Sequence, residues 1–194
     1  MCGIFGFLSK PEVPLKDVNK TVKTLALLSE SRGKEASGLA FFDQNEIKVY
    51  REPVSFKKFF KSKNYNNLLT SYNFDSRKKS EYVGVVGHSR LVTNGGQEKD
   101  HNNQPVIKDE TVCVHNGIIT NVDELWEQED NLKRLYEIDT EVIVSLFRHL
   151  TQTSTDCQLI FNSLKEKLQG TYTVVLVLAD SNDLLLFTNN GSLY

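Results

Sequence analysis

Met1-Cys2-Gly3-Ile4-Phe5-Gly6-Phe7 opens the chain, and the fold turns on how this stretch is read. A cysteine behind the initiator methionine has specific chemistry. Once Met1 is removed, Cys2 carries a thiol and a free α-amine on one carbon. The amine titrates near pH ~7.7–8.0 and the thiol near ~8.5. An amine that is partly neutral at cellular pH can take the thiol proton, directly or through one water. Gly3 and Gly6 are expected to let the backbone approach whatever the thiol attacks. The same residues also read as an ordinary first strand with a buried cysteine, and this stretch alone favours that reading; the rest of the chain reverses it.

The remaining composition narrows the choices. A length of 194 residues suggests one domain over 1–194, with 39% hydrophobic residues to build its core. A net charge of −2 gives no electrostatic case for nucleic acid or an anionic membrane. No apolar run approaches the ~20 residues of a membrane span, and the N-terminus lacks the pattern of a signal peptide. Cys2, Cys113 and Cys157 are far apart and match neither a disulfide framework nor a zinc site. The four histidines show no ligand spacing. The expectation is a cytoplasmic protein with no metal and no cofactor.

Taken in order, residues 2–8 read as a strand. Leu15, Val18, Val22, Leu25 and Leu28 recur at helical spacing, which predicts a helix over 15–30 with Gly33 as its left-handed stop. A hairpin follows, 39–42 and 47–50, around Asp43-Gln44-Asn45-Glu46. Residues 52–82 look like an insertion: one short amphipathic helix packing Phe56, Phe59 and Phe60 on the core, a second helix, and a mobile charged loop from Asp75. Strands are expected at 82–86, 111–114, 171–179 and 184–188. Helices are expected from Asn121 or Asp123 to about 127, from Asp139 to about 150, and over 160–168. Strands and helices mix without regular alternation, so sheets and helices are stacked rather than wound into a parallel βαβ array.

Three polar segments carry candidate binding groups. Arg90 sits just past the end of a strand, where a guanidinium can grip a carboxylate through two hydrogen bonds; taken alone, it is better explained by a surface salt bridge. Asn116-Gly117 can stabilise an oxyanion through a side-chain amide and a backbone N–H, or it can be a plain hairpin turn. Asp139 can hold an ammonium group, or it can be only a helix cap. Together, a thiol beside an amine, an oxyanion donor pair, a carboxylate clamp and an ammonium acceptor describe a site for an α-amino acid with an acyl side chain.

Six segments carry a resemblance. They are the Met1-Cys2-Gly3-Ile4-Phe5-Gly6-Phe7 start, Arg32–Gly38, Gly87-His88-Ser89-Arg90-Leu91-Val92-Thr93-Asn94-Gly95, Asn103-Gln104-Pro105, His115-Asn116-Gly117-Ile118-Ile119-Thr120-Asn121 and Asp139-Thr140-Glu141-Val142-Ile143. In that order they resemble class II glutamine amidotransferase domains, the N-terminal-nucleophile glutaminase modules of glucosamine-6-phosphate synthase and asparagine synthetase. The resemblance implies an α+β fold, the four-layer αββα sandwich of N-terminal-nucleophile hydrolases. It implies that Cys2 attacks the side-chain amide of L-glutamine and that Asn116 and Gly117 hold the oxyanion. Arg90 would bind the α-carboxylate, Asp139 the α-ammonium, and Thr93 would position the substrate. It further implies ammonia for a separate acceptor domain or synthetase subunit, and strands beyond Tyr194. Hydrolysis of another γ-glutamyl compound and a non-catalytic binding module are the alternatives.

The chain departs from the synthase pattern at Leu91, Val92 and Asn94, where tryptophan, alanine and histidine are usual. Leu91 points to other branches of the family. Lys34-Glu35-Ala36 replaces a common Asp-Ser pair in the loop expected to cover the site.

Overall fold

The computed structural model describes residues 2–71, 81–91, 102–129, 131–191 and 193. Two four-stranded antiparallel sheets form its centre. The first has the order β1 (Gly3–Ser9), β4 (Val83–Arg90), β2 (Ala36–Phe42), β3 (Ile47–Glu52); the second runs β5 (Val106–Lys108), β6 (Thr111–Ile119), β7 (Gly170–Leu178), β8 (Leu184–Thr188). Helices α1 (Leu15–Ser29), α2 (Phe56–Phe59) and α3 (Lys63–Ser71) accompany the first sheet, and α4 (Val122–Gln128), α5 (Thr140–Thr151) and α6 (Cys157–Lys167) the second.

Side-chain alternation sorts the strands into layers. Leu39, Phe41, Val83 and Val85 share a core with Val18, Val22 and Ala26 of α1. Their strand neighbours Ala40, Phe42 and Val86 face the other way and meet Val112, Val114, Val175 and Val177 of the second sheet. Cys113, Val174 and Leu176 point outward again, onto Val142, Ile143, Leu146 and Leu164 of α5 and α6. Three cores between four layers make the expected αββα sandwich, and both sheets are buried on both faces.

The helix at 15–30 is present, but its buried face is Val18, Val22, Ala26 and Ser29, while Leu28 is 67% exposed. Gly33 is not a left-handed stop. The helix closes on Glu30 in right-handed geometry, and a Cβ at Gly33 would lie 2.3 Å from the Arg90 carbonyl carbon. The two helices of 52–71 put Phe56, Phe59, Tyr65 and Leu68 into the first core, as the aromatic spacing suggested. The charged stretch expected over 75–80 lies outside the described residues. Strand β5 is one the sequence did not predict, and α6 starts at Cys157 because the Asp156 carboxylate accepts from the Gln158 and Leu159 amides.

Candidate active site

Cys2 stands just ahead of β1, and the antiparallel register puts the start of β1 beside the end of β4, Gly3 opposite Ser89. The thiol therefore reaches the chain at Leu91 and donates to its carbonyl at 3.5 Å. For Gly3 and Gly6 the structure shows a packing reason. A Cβ at Gly3 would lie 2.6 Å from Ser89 Oγ and 2.7 Å from the Ser29 carbonyl. One at Gly6 would lie 2.9 Å from the Val85 carbonyl. These glycines let β1 pack against β4 and, at Gly3, the end of α1.

Arg90 is the last residue of β4 rather than a loop residue, because β4 continues through Gly87-His88-Ser89. It is 3% exposed, so the surface salt bridge is ruled out. By the strand alternation it points between the sheets with Val86 and His88. Its Nη1 donates to Asn103 Oδ1 at 2.7 Å, which orients the guanidinium.

Asn116-Gly117 is not a hairpin turn. Both residues lie inside β6, opposite Thr173 and Tyr172 of β7. Only glycine fits at 117: its φ is +156°, and a Cβ would fall 1.9 Å from the Thr171 carbonyl oxygen. Asn116 Oδ1 is buried with no hydrogen-bond partner among the described residues. A buried amide oxygen left open is costly. The strand is braced from its other edge. The β5–β6 register, Val106 opposite Cys113, continues to Gln104 opposite His115. There the Gln104 side chain replaces the backbone ladder: Oε1 accepts the His115 N–H at 2.5 Å and Nε2 donates to the His115 carbonyl at 3.0 Å.

Asp139 occupies the N-cap position of α5, but its side chain does not cap the helix. Oδ2 accepts the Ile119 N–H at 3.0 Å, and Oδ1 lies 3.8 Å from His115 Nδ1. Thr140 Oγ1 accepts from Gln104 Nε2 at 3.1 Å and contacts His115 Nδ1 at 3.3 Å. Asp139 borders a polar cleft of about 520 Å³ with Ile119, Asn121, Arg134 and Glu137. The expected Asn121 cap is likewise put to another use, donating to the Lys167 carbonyl and accepting the Gln169 N–H.

Burial raises the Cys2 thiol above its ordinary pKa; the Asp139 carboxylate adds to this and the Arg90 guanidinium opposes it. His88 is wholly buried and held down to about 3, by burial first and then by the charges of His115 and Arg90. His115 is also lowered by burial, against the pull of Asp139.

Cys2 thus stands just ahead of β1, Arg90 ends β4, Asn116 and Gly117 lie inside β6 and Asp139 precedes α5, while Thr93 lies outside the described residues. Sequence reasoning missed His88, His115, Gln104 and Thr140, and gave Asn103 no role. Their only sequence signal was polar residues next to strands; what they hold became visible only when the strands were longer than their apolar runs.

A family of glutamine amidotransferase domains matches residues 88–192, more than half of the chain. The chain belongs to this family. The curated relatives matched by the class II glutamine amidotransferase domain include the amidophosphoribosyltransferase of Methanocaldococcus jannaschii, 30% identical over 93% of this chain and 36% of that protein. They also include a glutamine–fructose-6-phosphate aminotransferase of Methanococcus maripaludis, 31% identical over 99% of this chain and 30% of that protein. Two branches thus match almost equally, and the chain spans about a third of the length of these relatives. Among solved structures, an allosteric regulatory enzyme of purine biosynthesis superposes over 99% of this chain and 38% of its own, with a TM-score of 0.67 at 19% identity. The glutamine phosphoribosylpyrophosphate amidotransferase of B. subtilis gives 0.60 at 18% identity, over 96% of this chain and 36% of its own. These show that the αββα sandwich is a fold shared with those enzymes. No helix among the described residues is long and apolar enough to cross a membrane.

Proposed function

We propose that this domain hydrolyses the side-chain amide of L-glutamine through a thioester on Cys2 and delivers ammonia to a separate acceptor domain or subunit. The observation that carries this reading is a pair of buried opposite charges: the Arg90 guanidinium at the end of β4, held by Asn103, and the Asp139 carboxylate, turned from its own helix to β6 at the edge of an open cleft. An α-amino acid carries the complementary pair, so its carboxylate meets the guanidinium and its ammonium meets the carboxylate. Its side chain is then directed at sulfur.

The raised thiol pKa bears on the mechanism. A resting thiolate is disfavoured, so the proton leaves as sulfur attacks. The α-amine of Cys2, freed by removal of Met1, takes that proton and returns it to the departing ammonia. The tetrahedral oxyanion lies against the Asn116 side-chain amide and the Gly117 N–H, in a strand that Gln104 holds in place. Thr93 positions the substrate beside Arg90. Water then attacks the thioester and releases glutamate. The relatives' names carry a phosphoribosyl or a fructose-6-phosphate acceptor, and we propose an acceptor of this phosphosugar kind. A cytoplasmic location follows from the same reading.

The test is glutamate release from glutamine by protein whose mass confirms Met1 removal. Release is expected, and Cys2→Ala should lower it by ~10⁴-fold or more, the scale lost when a covalent nucleophile is deleted. Unchanged release in Cys2→Ala would remove the nucleophile assignment. Faster turnover of a panel of other γ-glutamyl compounds would favour that alternative substrate class.

A further inference from the structure

Glu141 stands two residues beyond Asp139, in the first turn of α5, and is fully buried. The chemistry above gives it no part. Its carboxylate is nonetheless fully engaged: Oε1 accepts from Lys108 Nζ at 2.6 Å and from the Leu135 N–H at 2.8 Å, and Oε2 accepts the Tyr136 N–H at 2.7 Å. Lys108 Nζ also donates to the Lys133 carbonyl at 2.5 Å and lies 5.1 Å from the centre of the Trp126 ring. A carboxylate taken this far from water needs a counter-charge and occupied lone pairs. Here Lys108 supplies the first and two backbone amides the second.

Those amides belong to the 131–137 segment, whose residues form no helix or strand. With no ladder of its own, the segment is held by what its amides meet, and Glu141 meets two of them. The next residue, Glu137, exchanges two bonds with Asn102: its N–H donates to Asn102 Oδ1 at 3.2 Å, and its Oε2 accepts Asn102 Nδ2 at 2.8 Å. Asn103 then accepts from Arg90. A continuous path of hydrogen bonds and short chain segments runs from Glu141 to the guanidinium, and Glu141 itself begins on the helix that carries Asp139.

We propose that Glu141, with Lys108 as its counter-charge, is a positioning residue that fixes the spacing between Arg90 and Asp139. It would set how well the site receives the two charged ends of an α-amino acid while leaving the intrinsic chemistry at sulfur untouched. The proposal rests on the glutaminase reading and deepens it.

The test uses the full chain with Met1 removed and two electrophiles. One is a glutamine-shaped diazoketone that carries the α-ammonium and α-carboxylate; the other is iodoacetamide, which carries neither. The ratio of their Cys2 labelling rates measures recognition. The Lys108→Met/Glu141→Gln double variant removes both charges at similar volume and leaves no lone charge buried. It should lower the ratio by ~10-fold, or about 1.4 kcal/mol, with the iodoacetamide rate unchanged. KM for glutamine should rise by the same factor while kcat stays within about twofold, the mark of lost ground-state binding. Lys108→Arg, which keeps the counter-charge, should retain the wild-type ratio.

A folded double variant that keeps the ratio, or that slows both reagents equally, overturns the positioning role. Hydrogen exchange on the unmodified protein needs no variant: diazoketone labelling should slow exchange at the Leu135 and Tyr136 amides, and no change there also overturns it. If the wild-type protein itself does not prefer the diazoketone, the glutaminase reading falls first. If it does and the double variant does too, only the positioning role falls.

Discussion

The two helical layers bury different things. Against the first sheet, α1, α2 and α3 bury mostly apolar and aromatic side chains, with Phe56, Phe59, Tyr65 and Leu68 packed on Leu39, Phe41 and Val85. Phe56 and Phe59 meet edge to face, their centroids 5.6 Å apart. Against the second sheet, α5 opens with three consecutive buried polar residues, Asp139, Thr140 and Glu141. Each binds a different wall: Asp139 the Ile119 N–H, Thr140 the Gln104 amide, Glu141 the Lys108 ammonium. One layer is held by area, which is tolerant of position. The other is held by hydrogen bonds, which are not. Precision is therefore concentrated on the side that carries the proposed substrate contacts.

Acid should expose this difference most strongly. Buried His88 titrates near 3 in the folded chain, against about 6.5 when exposed. The sign follows from proton counts. Between those values the unfolded state binds a proton that the folded state does not, so stability is full above about pH 6.5 and falls as pH drops toward 3. The whole loss attributable to His88 is about 4–5 kcal/mol, with a slope of at most ~1.4 kcal/mol per pH unit. His115 is lowered as well and acts in the same direction. Urea unfolding of wild type and His88→Gln across pH 7 to 4 checks this. The variant should show a shallower slope by about one proton; equal slopes would mean that His88 is not the group that titrates.

The apolar layer should fail differently. Phe59→Ala removes a fully buried ring and should lower stability by about 3–5 kcal/mol. Below the unfolding midpoint, glutamine turnover per folded molecule should be unchanged, because no proposed substrate contact involves α2. A loss of turnover in the folded fraction would show that the first helical layer also shapes the site, and the contrast between the layers would collapse.

This division also explains what the sequence made legible. The apolar layer was readable because area burial leaves a periodic trace: the helix at 15–30, the Phe56–Phe59 helix and the strands around Leu39 and Val85 all follow from it. The site's chemistry was readable residue by residue through its resemblance, but its architecture was not. Arg90 and Asn116 read as loop residues because polar side chains ended the apolar runs, whereas the backbone ladder of β4 and β6 continues through them. Gln104 imitating a strand, and Asp139 turning from its own helix to β6, depend on tertiary contacts that no local pattern encodes. The Leu28 side chain shows the converse error, an apolar residue in correct helical phase that faces water.

Asp139→Asn tests the polar layer with the least structural damage. The amide keeps an oxygen for the Ile119 N–H, so the thermal midpoint should move little. What disappears is the negative charge, and it acts on two things in opposite directions. Glutamine loses the partner for its ammonium, so kcat/KM should fall by about 30- to 150-fold, or ~2–3 kcal/mol for a charged hydrogen bond. The Cys2 thiol loses one of the causes that raise its pKa, so its reaction with iodoacetamide at neutral pH should become modestly faster. General damage to the site would slow both reactions. Only a carboxylate that binds substrate and also bears on the thiol would slow one and speed the other, so this opposite response separates a substrate contact from a structural cap.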